Sequence, residues 1–136
     1  MRWLLVVVAC TAGCKSDDGS PECTSDSDCG DLVCARDGSC RPSSEVRQVT
    51  VTWKIDGMAA DAQTCVPTPD LFVQFDGSEF DGSLGFAPVP CAQGQFNVDK
   101  LPTEYLEVEI GIEGRGILDA VPINLMTNTA DFDLVP

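Results

Sequence analysis

YLEVEIGIE, residues 105–113, alternates large apolar residues with charged residues or glycine: Leu106, Val108, Ile110 and Ile112 against Glu107, Glu109, Gly111 and Glu113. A period of two puts the first set on one face of a strand and the second on the other. The stretch therefore predicts a strand with one face on a core and one in water. Upstream, Val49, Val51, Trp53 and Ile55 alternate with Gln48, Thr50, Thr52 and Lys54, and Asp56-Gly57 ends that strand. LFVQF, residues 71–75, places Leu71, Val73 and Phe75 on one face, and residues 95–98 turn Phe96 and Val98 inward. Residues 117–125 and 129–135 complete the set. Residues 80–91 are ambiguous, because Pro88 and Pro90 confine them to a sheet edge or a loop. No stretch has a convincing helical period. Six or seven short strands, punctuated by Gly, Pro or Asp, predict an all-β chain whose residues 46–136 form a seven-strand-type β-sandwich.

The block that leads into the opening strand, GQFNVDKLPTEYLEVEI from Gly94 to Ile110, is more specific. It reads Gly-x-Phe-x-Val (Gly94, Phe96, Val98), then Leu101-Pro102, then Tyr105 ahead of the alternating strand. In this it resembles the carboxypeptidase-regulatory-like, transthyretin-like modules. Glu104 stands where those modules have Gly, and the turn is one residue shorter. The resemblance implies that the block spans two neighbouring, paired strands and that the domain is a non-catalytic accessory module.

The N-terminus decides how the cysteines are read. Arg2 supplies a positive start, residues 4–9 are an apolar run, and Thr11-Ala12-Gly13 are small. This is the layout of an export signal, too short to span a bilayer. Thr11-Ala12-Gly13-Cys14 resembles the lipobox of bacterial lipoproteins, with Thr11 in place of the usual large aliphatic residue. Val7-Val8-Ala9-Cys10 is a second candidate that would leave almost no apolar core in the signal. The chain has eight cysteines. Acylation of Cys14 leaves six, an even set that can pair completely, whereas acylation of Cys10 leaves an odd thiol in an oxidising compartment. Cys14 is therefore the expected lipidation site. The expected division is a signal peptide at 1–13, a tether at 14–22, a cysteine-rich knot at 23–40 and the sandwich at 46–136. A lipid-anchored protein of the cell envelope follows, at the outer membrane of a Gram-negative bacterium.

Within the knot, Cys23, Cys29, Cys34 and Cys40 are spaced C-x5-C-x4-C-x5-C, and only Leu32 and Val33 offer core side chains. A segment this small needs internal disulfides. Four cysteines allow three pairings, which sequence alone does not select; a crossed Cys23–Cys34 and Cys29–Cys40 pattern is expected. The spacing resembles the short cysteine-rich repeats of bacterial envelope lipoproteins, distantly similar to the Dickkopf N-terminal type. A rigid spacer is favoured over a ligand-binding knot. RPSSE, residues 41–45, is a linker by composition. Cys65 and Cys91 flank the 71–75 strand and are expected to pair as a staple.

Composition excludes several chemistries. Net charge is −14, spread along the chain, which makes nucleic acid a poor partner. The chain has no histidine, so no Ser-His-Asp triad forms around Gly82-Ser83-Leu84-Gly85. It has no CxxC, which leaves a thioredoxin-like or zinc-ribbon reading without support. Counting an EF-hand loop from Asp26 puts Asp31 at the sixth position and Asp37 at the twelfth, where Gly and Glu are needed. Asp76, Glu79 and Asp81, taken as one loop, are weak Ca2+ candidates, and Asp-Gly-Ser repeats at Asp18, Asp37, Asp76 and Asp81 read as turns. Glu107, Glu109 and Glu113 read as a solvated strand face, and Trp53 and Tyr105 as core rather than sugar-binding aromatics. No cofactor and no catalysis are expected. The expected partners are the membrane, through the anchor, and an envelope or extracellular protein or glycan; a secreted small-ligand or Ca2+-binding module is the alternative.

Overall fold

The structure, a computed structural model, describes residues 22–77 and 82–136. The signal, Cys10, Cys14 and all of the tether except Glu22 lie outside the described residues. In chain order the strands are β1 (Val33–Cys34), β2 (Cys40–Arg41), β3 (Val46–Ile55), β4 (Met58–Ala59), β5 (Asp70–Gly77), β6 (Ser83–Pro90), β7 (Gln95–Pro102), β8 (Tyr105–Ile112), β9 (Gly116–Pro122) and β10 (Thr129–Leu134). Short 3-10 turns cover Asp26–Cys29, Ser43–Glu45 and Cys91–Gln93, and no α-helix occurs among the described residues.

Two sheets make the sandwich. One has the order β6-β5-β8-β9, antiparallel throughout. The other is built on β3, which pairs with β10 in parallel from Thr50 to Ile55 and with β7 antiparallel along its opposite edge. Beyond β7 the same edge of β3 takes β4, across the turn in which Asp56 and Gly57 both hold positive φ, 49° and 75°. The inward residues are those that the alternation marks: Val49, Val51, Trp53 and Ile55 from β3, Leu71, Val73 and Phe75 from β5, and Val108, Ile110 and Ile112 from β8 are all buried. β6 pairs with β5 alone and is an edge strand, as its two prolines require. The Trp53 indole N–H donates to the Cys91 carbonyl at 2.8 Å, which satisfies its one polar atom inside the core.

Five details depart from the sequence reading, the first being that β9 ends at Pro122, so that residues 123–125 of the expected 117–125 strand lie beyond it. At the start of β8, Tyr105 is buried and Leu106 half-buried, because a pairing irregularity at Asp76/Gly77 shifts the alternation there. Gly111 is buried although it faces away from the core. The Phe72 ring lies over it, and a Cβ at that position would overlap the ring and the Gly116 carbonyl. β7 runs on to Pro102 rather than stopping at Val98. Finally, β7 and β8 do not pair with each other. β7 belongs with β3 and β8 with β5 and β9, so the Leu-Pro turn carries the chain from one sheet to the other. Leu101 and Tyr105 on either side of the turn are both buried, and core burial from both sheets outweighs hairpin pairing.

Candidate functional site

The cysteine-rich knot and the Leu101-Pro102 block meet at one end of the sandwich, where β3 begins and the β7–β8 turn lies. The knot is crossed by Cys23–Cys34 and Cys29–Cys40, and β1 pairs with β2 between them. The Sγ atoms of Cys23, Cys29 and Cys40 lie within 4.8 Å of one another, but each is in a disulfide and offers no thiolate to a metal. Leu32 is exposed and Val33 half-buried; the buried knot residues are Cys23 and Ala35. The knot thus has no apolar core of its own, and its polar side chains do the local ordering. Asp28 accepts the backbone N–H groups of Thr24 and Ser25, both at 2.9 Å, which holds its carboxyl below the ordinary carboxylate value. Asp37 accepts Ser39 N–H and Oγ at 3.1 and 2.6 Å across Gly38, the turn expected there.

The knot is docked on the sandwich rather than strung from it. The Arg36 N–H donates to the Lys100 carbonyl at 2.9 Å on the outer edge of β7, and the Arg36 guanidinium pairs with Asp99. Lys100, which sits at positive φ of 50°, turns its ammonium back to Asp26 at 2.7 and 2.8 Å. That contact, with the Cys34 N–H, lowers the Asp26 pKa. Arg41 makes a two-pronged contact with Glu104, both arms 2.7 Å, and also reaches Asp37 at 3.3 Å. The contact with Glu104 is the main reason that the Arg41 pKa is raised. Thr103 N–H donates to the Glu45 carbonyl at 2.9 Å, and Arg47 Nη2 to the Tyr105 carbonyl at 2.5 Å. Three successive residues of the turn, Thr103 to Tyr105, are therefore each held. Residues 41–45, read as a linker by composition, are an ordered strut: Arg41 lies in β2 and Ser43–Glu45 form a 3-10 turn.

A glycine in place of Glu104 would leave Arg41 without its two-pronged partner. Between the knot and β7 lies an open cleft of about 440 Å³, lined by residues that include Thr24, Asp26, Arg36 and Lys100. Four of the six Lys and Arg among the described residues (Arg36, Arg41, Arg47 and Lys100) gather at this end. Arg36 and Lys100, which line the cleft, are paired with Asp99 and Asp26, and Arg41 with Glu104, whereas Arg47 donates to a carbonyl and keeps its buried Nε without a partner among the described residues.

Of the calcium candidates, Asp76 falls within the described residues. Asp76 lies in β5, not in a loop, and its carboxylate accepts the Gln74 amide at 3.2 Å through each oxygen. Glu79 and Asp81 lie outside the described residues. Register brings Asp76 opposite Glu107 and Gln74 opposite Glu109 on the outer face of the sheet. There, partial burial and then the charges of Asp76 and Glu107 raise the Glu109 pKa. Trp53 and Tyr105 are both core residues, Trp53 by its place in an alternating strand and Tyr105 through the shift of alternation at the start of β8. Burial, reinforced by Asp37 and Glu104, raises the Tyr105 pKa. Cys65 and Cys91 form the third disulfide, buried under the sandwich end opposite the knot. What sequence reasoning missed is the docking set Arg36, Asp99, Lys100, Arg41 and Glu104; its one visible signal was Glu104. Comparison with known proteins returns no match to a family model, a curated protein or a solved structure.

Proposed function

We propose that this chain is an envelope lipoprotein, acylated on Cys14, in which the knot and a transthyretin-like sandwich act together as a structural or recognition module without catalysis. The observation that carries the reading is the closed set of cysteines. Every described cysteine is in a disulfide, and the two left over, Cys10 and Cys14, both fall in the export-signal stretch. Such a set fits an oxidising compartment. An amide-linked chain and a diacylglycerol on Cys14 would make anchoring effectively permanent. The absence of histidine and the mutual pairing of the junction's charges support a binding rather than a catalytic role. Recognition of an envelope or extracellular protein or glycan falls to the loops and to exposed edges such as β6. Metabolic labelling with a fatty-acid analogue tests the anchor. Wild type and Cys10→Ala take up label and Cys14→Ala does not; an unlabelled wild-type chain removes the reading.

A further inference from the structure

The loop between β9 and β10 holds two apolar side chains in water. Leu125 is 60% exposed and Met126 95%. The loop is closely tied. Asn124 Oδ1 accepts the N–H groups of Met126 and Thr127 at 3.0 and 3.3 Å, and the Asn128 N–H donates to the Asn124 carbonyl at 2.7 Å. The Thr127 and Thr129 hydroxyls meet at 2.8 Å. Asn128, at φ 54°, offers its carbonyl to the Thr50 N–H at 3.0 Å and fastens the loop to β3. A tip fixed in this way loses little chain entropy on meeting a partner.

Its position narrows the partner. β10 runs parallel to β3, with Thr129 opposite Thr50, so the loop stands at the end where β3 begins. That end also carries the knot, and through the knot the chain arriving from residue 22. Residues 15–22, fully extended, reach at most about 29 Å, so an anchored Cys14 keeps this end close to the bilayer. The chain carries a net charge of −14 and is repelled by anionic headgroups, but residues 120–130 contain no charged side chain.

We infer that Leu125 and Met126 dip into the lipid interface beside the anchor and orient the domain with its Asp56-Gly57 end outward. The inference rests on acylation of Cys14. It is tested with the full lipidated chain in phosphatidylethanolamine–phosphatidylglycerol vesicles whose acyl chains carry bromine, a contact quencher of tryptophan. Met126→Trp places a reporter at the tip; Met58→Trp places one on β4 at the opposite end, where Met58 is exposed. Trp53 is 3% exposed and stays a constant background. The Met126→Trp signal is expected to fall at least twofold in brominated against plain vesicles, with Met58→Trp unchanged. Equal emission in both lipids for Met126→Trp, with the protein still floating with the vesicles, overturns the loop contact and leaves the anchor standing. Quenching of Met58→Trp instead overturns the orientation. A wild-type chain with no lipid on Cys14 by mass spectrometry overturns the anchor and the inference together.

Discussion

The knot and the sandwich are held by different forces within one chain. In the sandwich, side chains from two sheets bury one another, and one buried disulfide, Cys65–Cys91, closes a loop within it. In the knot, two disulfides and a set of carboxylate contacts do nearly all the work, with Cys23 and Ala35 as the buried apolar residues. A segment of this size cannot bury enough surface to offset its chain entropy, so covalent links take that role. The pairs Arg36–Asp99 and Lys100–Asp26 then hold it to β7, and Arg41–Glu104 to the β7–β8 turn. The comparison says which injuries should spread and which should stay local.

The largest effect is expected in the sandwich core. Phe75 is fully buried, in edge contact with Phe86 at 6.0 Å between ring centres, and Phe75→Ala should cost about 3–5 kcal/mol. Denaturant unfolding followed by near-UV circular dichroism measures it; a cost below about 1 kcal/mol would show that the sheets do not depend on this contact. Next, replacing Cys65 and Cys91 together by Ala opens a loop with a sequence separation of 26 and should cost about 3–4 kcal/mol in the chain-entropy model. The sandwich should still fold, at a lower midpoint.

Replacing Cys29 and Cys40 together removes a link of comparable entropic worth, about 3 kcal/mol, but from the knot. Hydrogen exchange should rise through residues 23–41 and remain slow in β3, β5 and β8. Exchange rising equally in both regions would mean that the sandwich needs the knot in order to fold. Glu104→Gly removes the Arg41 contact. Glu104 and Arg41 are 41% and 21% exposed, so the loss should be at most about 1 kcal/mol. The change should be seen as faster exchange in the knot rather than in the midpoint of the whole chain, and a cycle with Arg41→Ala should isolate the coupling.

The smallest separation is by acid. Asp26 and Asp28 have lowered pKa values in the folded knot, so their contribution is present above their ordinary value of 3.8 and is lost as pH falls through the lowered values. Glu109 on the sandwich is raised above 4.5, so its sign is opposite: its contribution is greatest below 4.5 and lost as pH rises through the raised value. Asp61, in the loop after β4, follows the knot's sign, which is why the readout must be local. Titration followed residue by residue by NMR should find the knot loosening first under acid. If Asp26 and Glu109 shift the same way from their ordinary values, the electrostatic half of the comparison fails.

Much of the fold was legible because a strand's two faces are written in alternate residues. Val49, Val51, Trp53 and Ile55 needed no partner strand to declare which way they face, and Pro88 and Pro90 confined their stretch to an edge or a loop before any neighbour was known. Pairing was less legible. The resemblance carried by the Leu101-Pro102 block implies two paired strands, and only the sheets on either side of the turn show that the chain crosses between layers. The candidate site was legible as cysteines and not as contacts, since Arg41 and Glu104 are 63 residues apart in sequence.

By itself, the sequence determined what period and local chemistry determine: strands with an inner and an outer face, turns at Asp37-Gly38 and Asp56-Gly57, a segment too small to fold without disulfides, and an acidic chain without histidine. Tertiary structure alone decided that β7 and β8 part company, that the supposed linker is a strut, and that the knot sits on the β7 edge. The physical reason is common to all three. They depend on which surfaces meet after the chain has closed distances of tens of residues, and no local pattern encodes the far partner of such a contact.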